Sequence, residues 1–233
     1  RLWIHAVSVG EVTAAAPIVA ALKQKRPDVE IVLSTSTETG QHMARQIVTS
    51  ADAFVYFPLD FPCVVRKAIR QAQPVVFALM ETELWPNFLK TCKKQGVRVL
   101  LLNGRISPRS YSRYFLTSFF WRGIFHDFSA AAMISAIDAQ RIIKMGMPPD
   151  RIYILGNAKY DALAARASDQ VRQEISQRLD VRQDERFLVA GSTHPGEDEI
   201  IIDAYKQILA AHPEFRLIIV PRHVERTPSI MEL

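Results

Sequence analysis

Short apolar runs alternate along the chain with longer stretches in which apolar residues recur at helical spacing. Leu2 to Val7, Ile31 to Ser34, Ala53 to Tyr56, Val75 to Leu79, Val97 to Leu102 and Ala131 to Ile134 are predicted as strands. Segments near 12–24, 39–50, 62–72, 85–95 and 138–145 are predicted as the intervening helices. Strands that alternate with helices predict an α/β chain whose parallel sheet is covered on both faces, the doubly wound class.

After the run Arg151 to Leu155 comes Gly156-Asn157, and a charged helical stretch follows to about Leu179. This stretch reads as the crossing into another domain. A second cycle then begins, with Phe187 to Ala190 as strand, Gly191 to Gly196 as loop, Glu197 to Ala211 as helix and Leu217 to Val220 as strand. The expected organisation is one domain over 1–157 and an incomplete, Rossmann-like second domain over 158–233. The 233 residues exceed a typical domain of roughly 100–200, and 48% apolar residues suit a chain that buries a sizeable core.

The 29 Lys and Arg against 24 Asp and Glu leave a formal charge of +5, which either favours anionic partners such as phosphates, nucleotides and acidic lipid surfaces or simply aids solubility. Cys63 and Cys92 suggest neither a disulfide framework nor a zinc site, and a reducing cytosol fits them. No apolar run reaches the roughly 18 residues of a spanning helix, and the first residues lack a signal-peptide pattern. Both ends are read as cut, because the sequence opens on Arg1-Leu2-Trp3-Ile4 without an initiator Met and stops at Met231-Glu232-Leu233.

In a doubly wound sheet ligands collect beyond the carboxyl ends of the strands, so the residues there are the candidates for chemistry. Ser8-Val9-Gly10-Glu11 follows the first strand, where Gly10 would permit a tight turn. Glu11 would serve there either as a base or as a favourable charge at a helix amino terminus. Thr35-Ser36-Thr37-Glu38-Thr39-Gly40 follows the second strand, and its hydroxyls suit either a sugar or phosphate or the capping of the next helix. Glu81-Thr82-Glu83-Leu84-Trp85-Pro86-Asn87 offers two carboxylates beside an aromatic ring, although one of them would equally cap the helix at Pro86.

Asn103-Gly104-Arg105-Ile106-Ser107 follows the fifth strand, and Arg105 there suits an anionic ligand or a plain surface position. Arg105, Arg109 and Arg113 recur at helical spacing near Tyr111, Tyr114, Phe115, Phe119, Phe120 and Trp121. This mixture fits an anionic bilayer, or aromatics packed in the core behind a solvated Arg edge. In the second cycle Gly191-Ser192-Thr193-His194-Pro195-Gly196-Glu197 and Pro221-Arg222-His223-Val224-Glu225-Arg226 supply N–H groups, hydroxyls, two guanidinium groups and an imidazole. Together they favour an anionic, nucleotide-bearing ligand.

Taken in order, Trp3-Ile4-His5-Ala6-Val7-Ser8-Val9-Gly10-Glu11, Thr37-Glu38-Thr39-Gly40, Glu81 to Asn87, Asn103 to Ser107, Gly156-Asn157-Ala158-Lys159-Tyr160-Asp161, Gly191 to Glu197 and Pro221-Arg222-His223 resemble the 3-deoxy-D-manno-octulosonic acid (Kdo) transferases of lipopolysaccharide synthesis. The resemblance spans essentially the whole chain. It implies a two-domain GT-B glycosyltransferase that moves Kdo from CMP-Kdo to a lipid A precursor (lipid IVA), with no bound metal or other cofactor. The expected place is the cytoplasmic face of the inner membrane, with an anchor upstream of Trp3 and no nucleic-acid partner. The amino-terminal domain would receive the acceptor and the second would hold the CMP donor.

By the same resemblance Glu11 is the general base, while Glu81 or Glu83 orients the acceptor or supports developing charge. Ser8, Gly10, Thr37, Thr39, Gly40 and Arg105 are candidate substrate contacts in the first domain. Lys159, Ser192, Thr193, His194, Glu197, Arg222 and His223 are candidates on the donor side, where cations and N–H groups would stabilise the departing phosphate. Ile134 stands where the family tends to carry Gln, and the family usually continues for well over a hundred residues. Two other readings remain open at this point: a GT-B nucleotide-sugar epimerase relative, and a non-catalytic module that binds anionic lipid.

Overall fold

The computed structural model describes residues 1–167, 169–181 and 185–233, which form two compact units, Arg1–Ala167 and Ser168–Leu233. In the first unit β1 (Leu2–His5), α1 (Val9–Lys25), β2 (Ile31–Thr35), α2 (Glu38–Ile47), β3 (Ala53–Tyr56), α3 (Pro62–Ala72) and β4 (Val76–Met80) alternate. They continue through α4 (Pro86–Lys94), β5 (Arg98–Gly104), α5 (Pro108–Leu116), α6 (Ser118–His126), β6 (Ala130–Met133), α7 (Ala136–Lys144), β7 (Ile152–Ile154) and α8 (Ala158–Arg166). The seven strands form one parallel sheet in the order β3-β2-β1-β4-β5-β6-β7. The six predicted strands are present, and β7 adds a seventh within the run that precedes Gly156.

Strand residues point alternately to opposite faces, and this divides the core in two. Trp3, Phe77, Leu79, Val99 and Leu101 meet Val65, Ile69, Phe88, Leu89, Phe125 and Ile142 on one face. Leu2, Ile4, Ile31, Leu33, Ala78 and Met80 meet Val12, Ala15, Val19 and Ala44 on the other. Such near-continuous apolar strands are what a sheet buried on both sides requires.

The second unit holds α9 (Asp169–Arg178), β8 (Arg186–Thr193), α10 (Glu197–Ala211), β9 (Phe215–Pro221) and α11 (Thr227–Met231). β8 and β9 pair in parallel across α10, one βαβ cycle. The predicted loop at Gly191 begins three residues later than expected, because β8 runs on through Thr193 past an irregularity between Gly191 and Thr193. The first unit also runs ten residues beyond the division read after Asn157, because Ala158 packs against the α1 side of the core.

Aromatic residues of α5 and α6 divide between the two arrangements that the sequence left open. Tyr111, Tyr114 and Trp121 pack against the core, whereas Phe115, Leu116, Phe119 and Phe120 are exposed. Arg109 is exposed, and the side chain of Arg113 lies outside the described residues.

Phe77 is fully enclosed, with the rings of Phe88 at 4.5 Å, Trp3 at 6.1 Å and Phe57 at 6.2 Å. Phe77→Ala is expected to lower the unfolding free energy by about 3–5 kcal/mol, measured by denaturant titration, because the cluster cannot close over the lost ring.

Candidate active site

Strand order reverses between β1 and β4: the chain runs outward through β2 and β3, then returns to β1's other side. The crevice beyond the carboxyl ends of two such strands is where doubly wound folds bind ligands. Glu11 comes from the segment after β1, and Glu81 and Glu83 come from the segment after β4. A cavity of about 350 Å³ is lined by Glu11, Glu81, Thr82, Glu83, Arg105, Ser107, Ser110 and Tyr114. The fold thus brings together the three candidate carboxylates and Arg105.

Glu11 lies in the first turn of α1 and is 6% exposed. Its Oε2 accepts the Val7 N–H at 2.8 Å, and its Oε1 accepts the Ser8 hydroxyl at 3.3 Å. Burial pushes its carboxyl up to about 7; the charges of Glu81 and Glu83 push the same way, and the bonds from Val7 and Ser8 oppose them. A carboxylate with this pKa is half ionised near neutrality, which is the condition for a general base to accept a proton and return it.

Glu81 sits in the left-handed region at φ 54, as does Asn103 at φ 53 at the end of the neighbouring strand. For residues other than glycine this costs about 1–3 kcal/mol, and it persists where surrounding bonds over-determine it. Here the Glu81 N–H donates to Leu102 O at 2.9 Å, and Glu81 Oε1 lies 2.7 Å from Lys159 Nζ. Neither glutamate caps α4. That place is taken by Asp60, whose carboxylate accepts the N–H groups of Asn87 at 3.0 Å and Phe88 at 2.8 Å.

Four lining residues were not singled out from the sequence for this role: Thr82, Ser107, Ser110 and Tyr114. Thr82 Oγ1 donates to Arg105 O, and Tyr114 Oη donates to Thr82 O at 3.3 Å. Burial raises the Tyr114 phenol above its ordinary range, with a smaller push from Glu83. The signal available in the linear order was the spacing of Ser107, Ser110 and Tyr114, one helical face directly after Arg105.

Other predicted contacts take different places. Gly10 is inside α1 and forms no turn of positive φ. Thr37 caps α2 by accepting the Gly40 N–H at 3.0 Å, and Thr39 Oγ1 donates to Thr37 Oγ1 at 3.4 Å. A side chain on Gly40 would stand 2.8 Å from Thr37 Oγ1 and 3.3 Å from Val7 O, so this glycine lets the β2 loop close on the β1 loop. None of the three lines the cavity. Lys159, expected on the donor side, belongs to the first unit and pairs with Glu81.

Within the second unit the two predicted loops meet: the Arg222 N–H donates to Thr193 O at 3.0 Å, and Arg226 Nη1 donates to the same oxygen at 2.9 Å. Arg226 also pairs with the buried Asp198. Arg226 is therefore committed to the fold, which leaves one of the two predicted guanidinium groups, that of Arg222, at the surface. Ser192, at φ 62, His194, Glu197 and His223 are exposed there, whereas Thr193 is buried. Glu197, the first residue of α10, turns back to accept the His194 N–H at 2.7 Å, which fixes the loop that leads into the helix. Among the described residues no three His, Cys, Asp or Glu side chains cluster so as to hold a metal ion, and no helix is long and apolar enough to cross a membrane.

Residues 1–162 match the family model described as 3-deoxy-D-manno-octulosonic-acid transferase (kdotransferase). The chain belongs to the Kdo transferase family. It is 35% identical over its whole length to the 3-deoxy-D-manno-octulosonic acid transferase of Haemophilus influenzae, covering 54% of that protein. Over 97% of its length it is 28% identical to the corresponding transferase of Chlamydia trachomatis serovar D, covering 52% of it. The chain therefore spans about half the length of these curated relatives.

Among solved structures, 99% of the chain superposes on 68% of the UDP-GlcNAc 2-epimerase of Neisseria meningitidis bound to UDP-GlcNAc, with TM-score 0.69 and 12% identity. A glycosyltransferase of Rickettsia africae aligns with 99% of the chain and 64% of its own, with TM-score 0.62 and 13% identity. These likenesses establish the fold, GT-B, with a first Rossmann-like domain built on the seven-stranded parallel sheet and part of a second. The epimerase likeness carries no chemistry at this identity.

A raised carboxyl pKa has a thermodynamic consequence whose sign is fixed. The folded Glu11 holds its proton more tightly than the unfolded one, so its contribution to stability is present below about pH 4.5 and is lost as pH rises through about 7. Glu11→Gln is expected to gain on the wild type across that window, by up to about 3 kcal/mol at pH 8 relative to pH 4. Denaturant titrations at the two pH values measure it.

Proposed function

We propose that the full-length protein to which this chain corresponds transfers Kdo from CMP-Kdo to the hydroxyl of a lipid A precursor, lipid IVA, with Glu11 as the general base. The observation that carries the reading is the buried Glu11 carboxylate, tuned to about 7 and facing a cavity at the β1–β4 switch point, in a chain of this family. As the acceptor oxygen attacks the anomeric carbon of Kdo, its proton passes to Glu11, and the bond to the CMP phosphate breaks. Attack from the face opposite the leaving group inverts the anomeric centre. Glu81 and Glu83 face the developing positive character of the sugar, and Arg105 is placed for an anionic group of the acceptor.

The exposed side chains of Ser192, His194, Arg222 and His223 offer a separate anion-binding surface for the donor phosphate. The exposed Phe115, Leu116, Phe119 and Phe120, the last of them sharing a surface pocket with Lys90, Lys93 and Lys94, support work at an anionic membrane surface, the cytoplasmic face of the inner membrane.

The test is transfer of Kdo to lipid IVA by the full-length protein. Wild type is expected to transfer and Glu11→Ala to retain less than about one hundredth of its rate, the scale of a lost general base. The acid limb of kcat/KM should fall near pH 7, with activity dropping about tenfold per unit below it. Folded wild-type protein that binds lipid IVA without transferring Kdo would overturn the reading in favour of a lipid-binding module.

A further inference from the structure

The first turn of α8 is fastened to the ends of the two strands that wall the cavity. Lys159 Nζ lies 2.7 Å from Glu81 Oε1, and the Ala158 N–H donates to Asn103 Oδ1 at 2.9 Å. Both acceptors belong to residues in the left-handed region, so the two strained strand ends are each tied to α8 by a side chain. Asn157 completes the clamp by accepting the Lys159 N–H at 3.1 Å, which holds the turn in place. A Cβ on Gly10 would stand 3.6 Å from Lys159 Nζ, an ordinary contact distance, so the ammonium group lies against the first turn of α1.

From this geometry we propose that Lys159 is a positioning residue of the acceptor site: it holds the Glu81 carboxylate against the end of β4 and offsets its charge, leaving Glu11 as the ionised group that meets the acceptor hydroxyl. The inference rests on the assignment of Glu11 as the base. It replaces the expected role of Lys159 at the CMP phosphate, because the ammonium group is already paired inside the first unit.

The charged and titratable groups that face Glu11 are Glu81 and Glu83 from the segment after β4, Arg105 after β5 and Tyr114 on α5, with Lys159 of α8 reaching the group through Glu81. Negative charge on Glu81 makes ionisation of Glu11 harder, and a cation 2.7 Å from Glu81 screens that effect. Lys159 thus acts on the base through a carboxylate, without touching the substrate.

The experiment is a double-substitution cycle in the full-length protein, read by the carboxyl ¹³C titration of Glu11 and by the pH profile of Kdo transfer. Lys159→Met is expected to raise the Glu11 midpoint by roughly one pH unit, the size of effect a charge at this range produces. At a fixed pH below the limb this reads as an activity loss of about tenfold. Glu81→Gln should lower the midpoint, and the double variant should match Glu81→Gln alone, because Lys159 then has no charge left to offset. Lys159→Arg, which keeps the charge, should restore the wild-type midpoint; with Glu81→Gln it reads the coupling even if Lys159→Met does not fold. An unchanged Glu11 midpoint in Lys159→Met, with a raised KM for CMP-Kdo, overturns the proposal and returns Lys159 to the donor. A wild type whose Glu11 responds as described but which transfers no Kdo overturns the functional reading and leaves the electrostatic role standing.

Discussion

The carboxylate of Glu11, taken out of water at the start of α1, is the interaction on which the arrangement depends. Burial alone would drive it to bind a proton, and the Val7 N–H and the Ser8 hydroxyl hold it within reach of ionisation. Such a balance requires a rigid frame, because small changes of distance alter each of these interactions. The frame is the parallel sheet with its two packed faces, whose strand ends deliver Glu11 and Glu81 to the same crevice.

That crevice stores unfavourable local structure. Three carboxylates line one cavity, and two adjacent strands end in left-handed residues. The opposing terms come from α8, which contributes a cation to Glu81 and an N–H to Asn103. The helix lies outside the strands in sequence, yet it completes the amino-terminal unit because its first turn satisfies groups that β4 and β5 leave strained. Local strain offset by a distant element is a common property of functional sites.

Several polar residues near the strand ends satisfy backbone N–H groups, among them two, Thr37 and Glu197, that the linear order offered as substrate contacts. Thr37 does so for α2, Asp60 for α4, Asp138 for Ile106 and Glu197 for His194. The loops of the second unit are similarly fixed by Arg226 on Thr193 O and Asp198. The parallel fold concentrates helix amino termini at the same edge as the ligand crevice, so caps and catalytic groups draw on the same residue types.

Six strands of the first unit, the helices α1 to α4 and α7, the parallel class and the positions of Glu11, Glu81, Glu83 and Arg105 beyond strand ends were readable from the amino-acid order. Periodicity and turn chemistry are local, and a two-faced parallel sheet imposes apolar runs such as Ile31 to Leu33 that no other class demands so strongly. The three-residue β7 was too short for periodicity to mark, and Lys159 was placed with the wrong unit because nothing in the linear order shows what a long side chain reaches. Which hydroxyls cap and which line the cavity, which carboxylate is desolvated and which is paired, were settled only once the chain was folded. Burial and charge separation set those properties, and both depend on residues brought together from distant parts of the sequence, as Lys159 and Glu81 are across 78 positions.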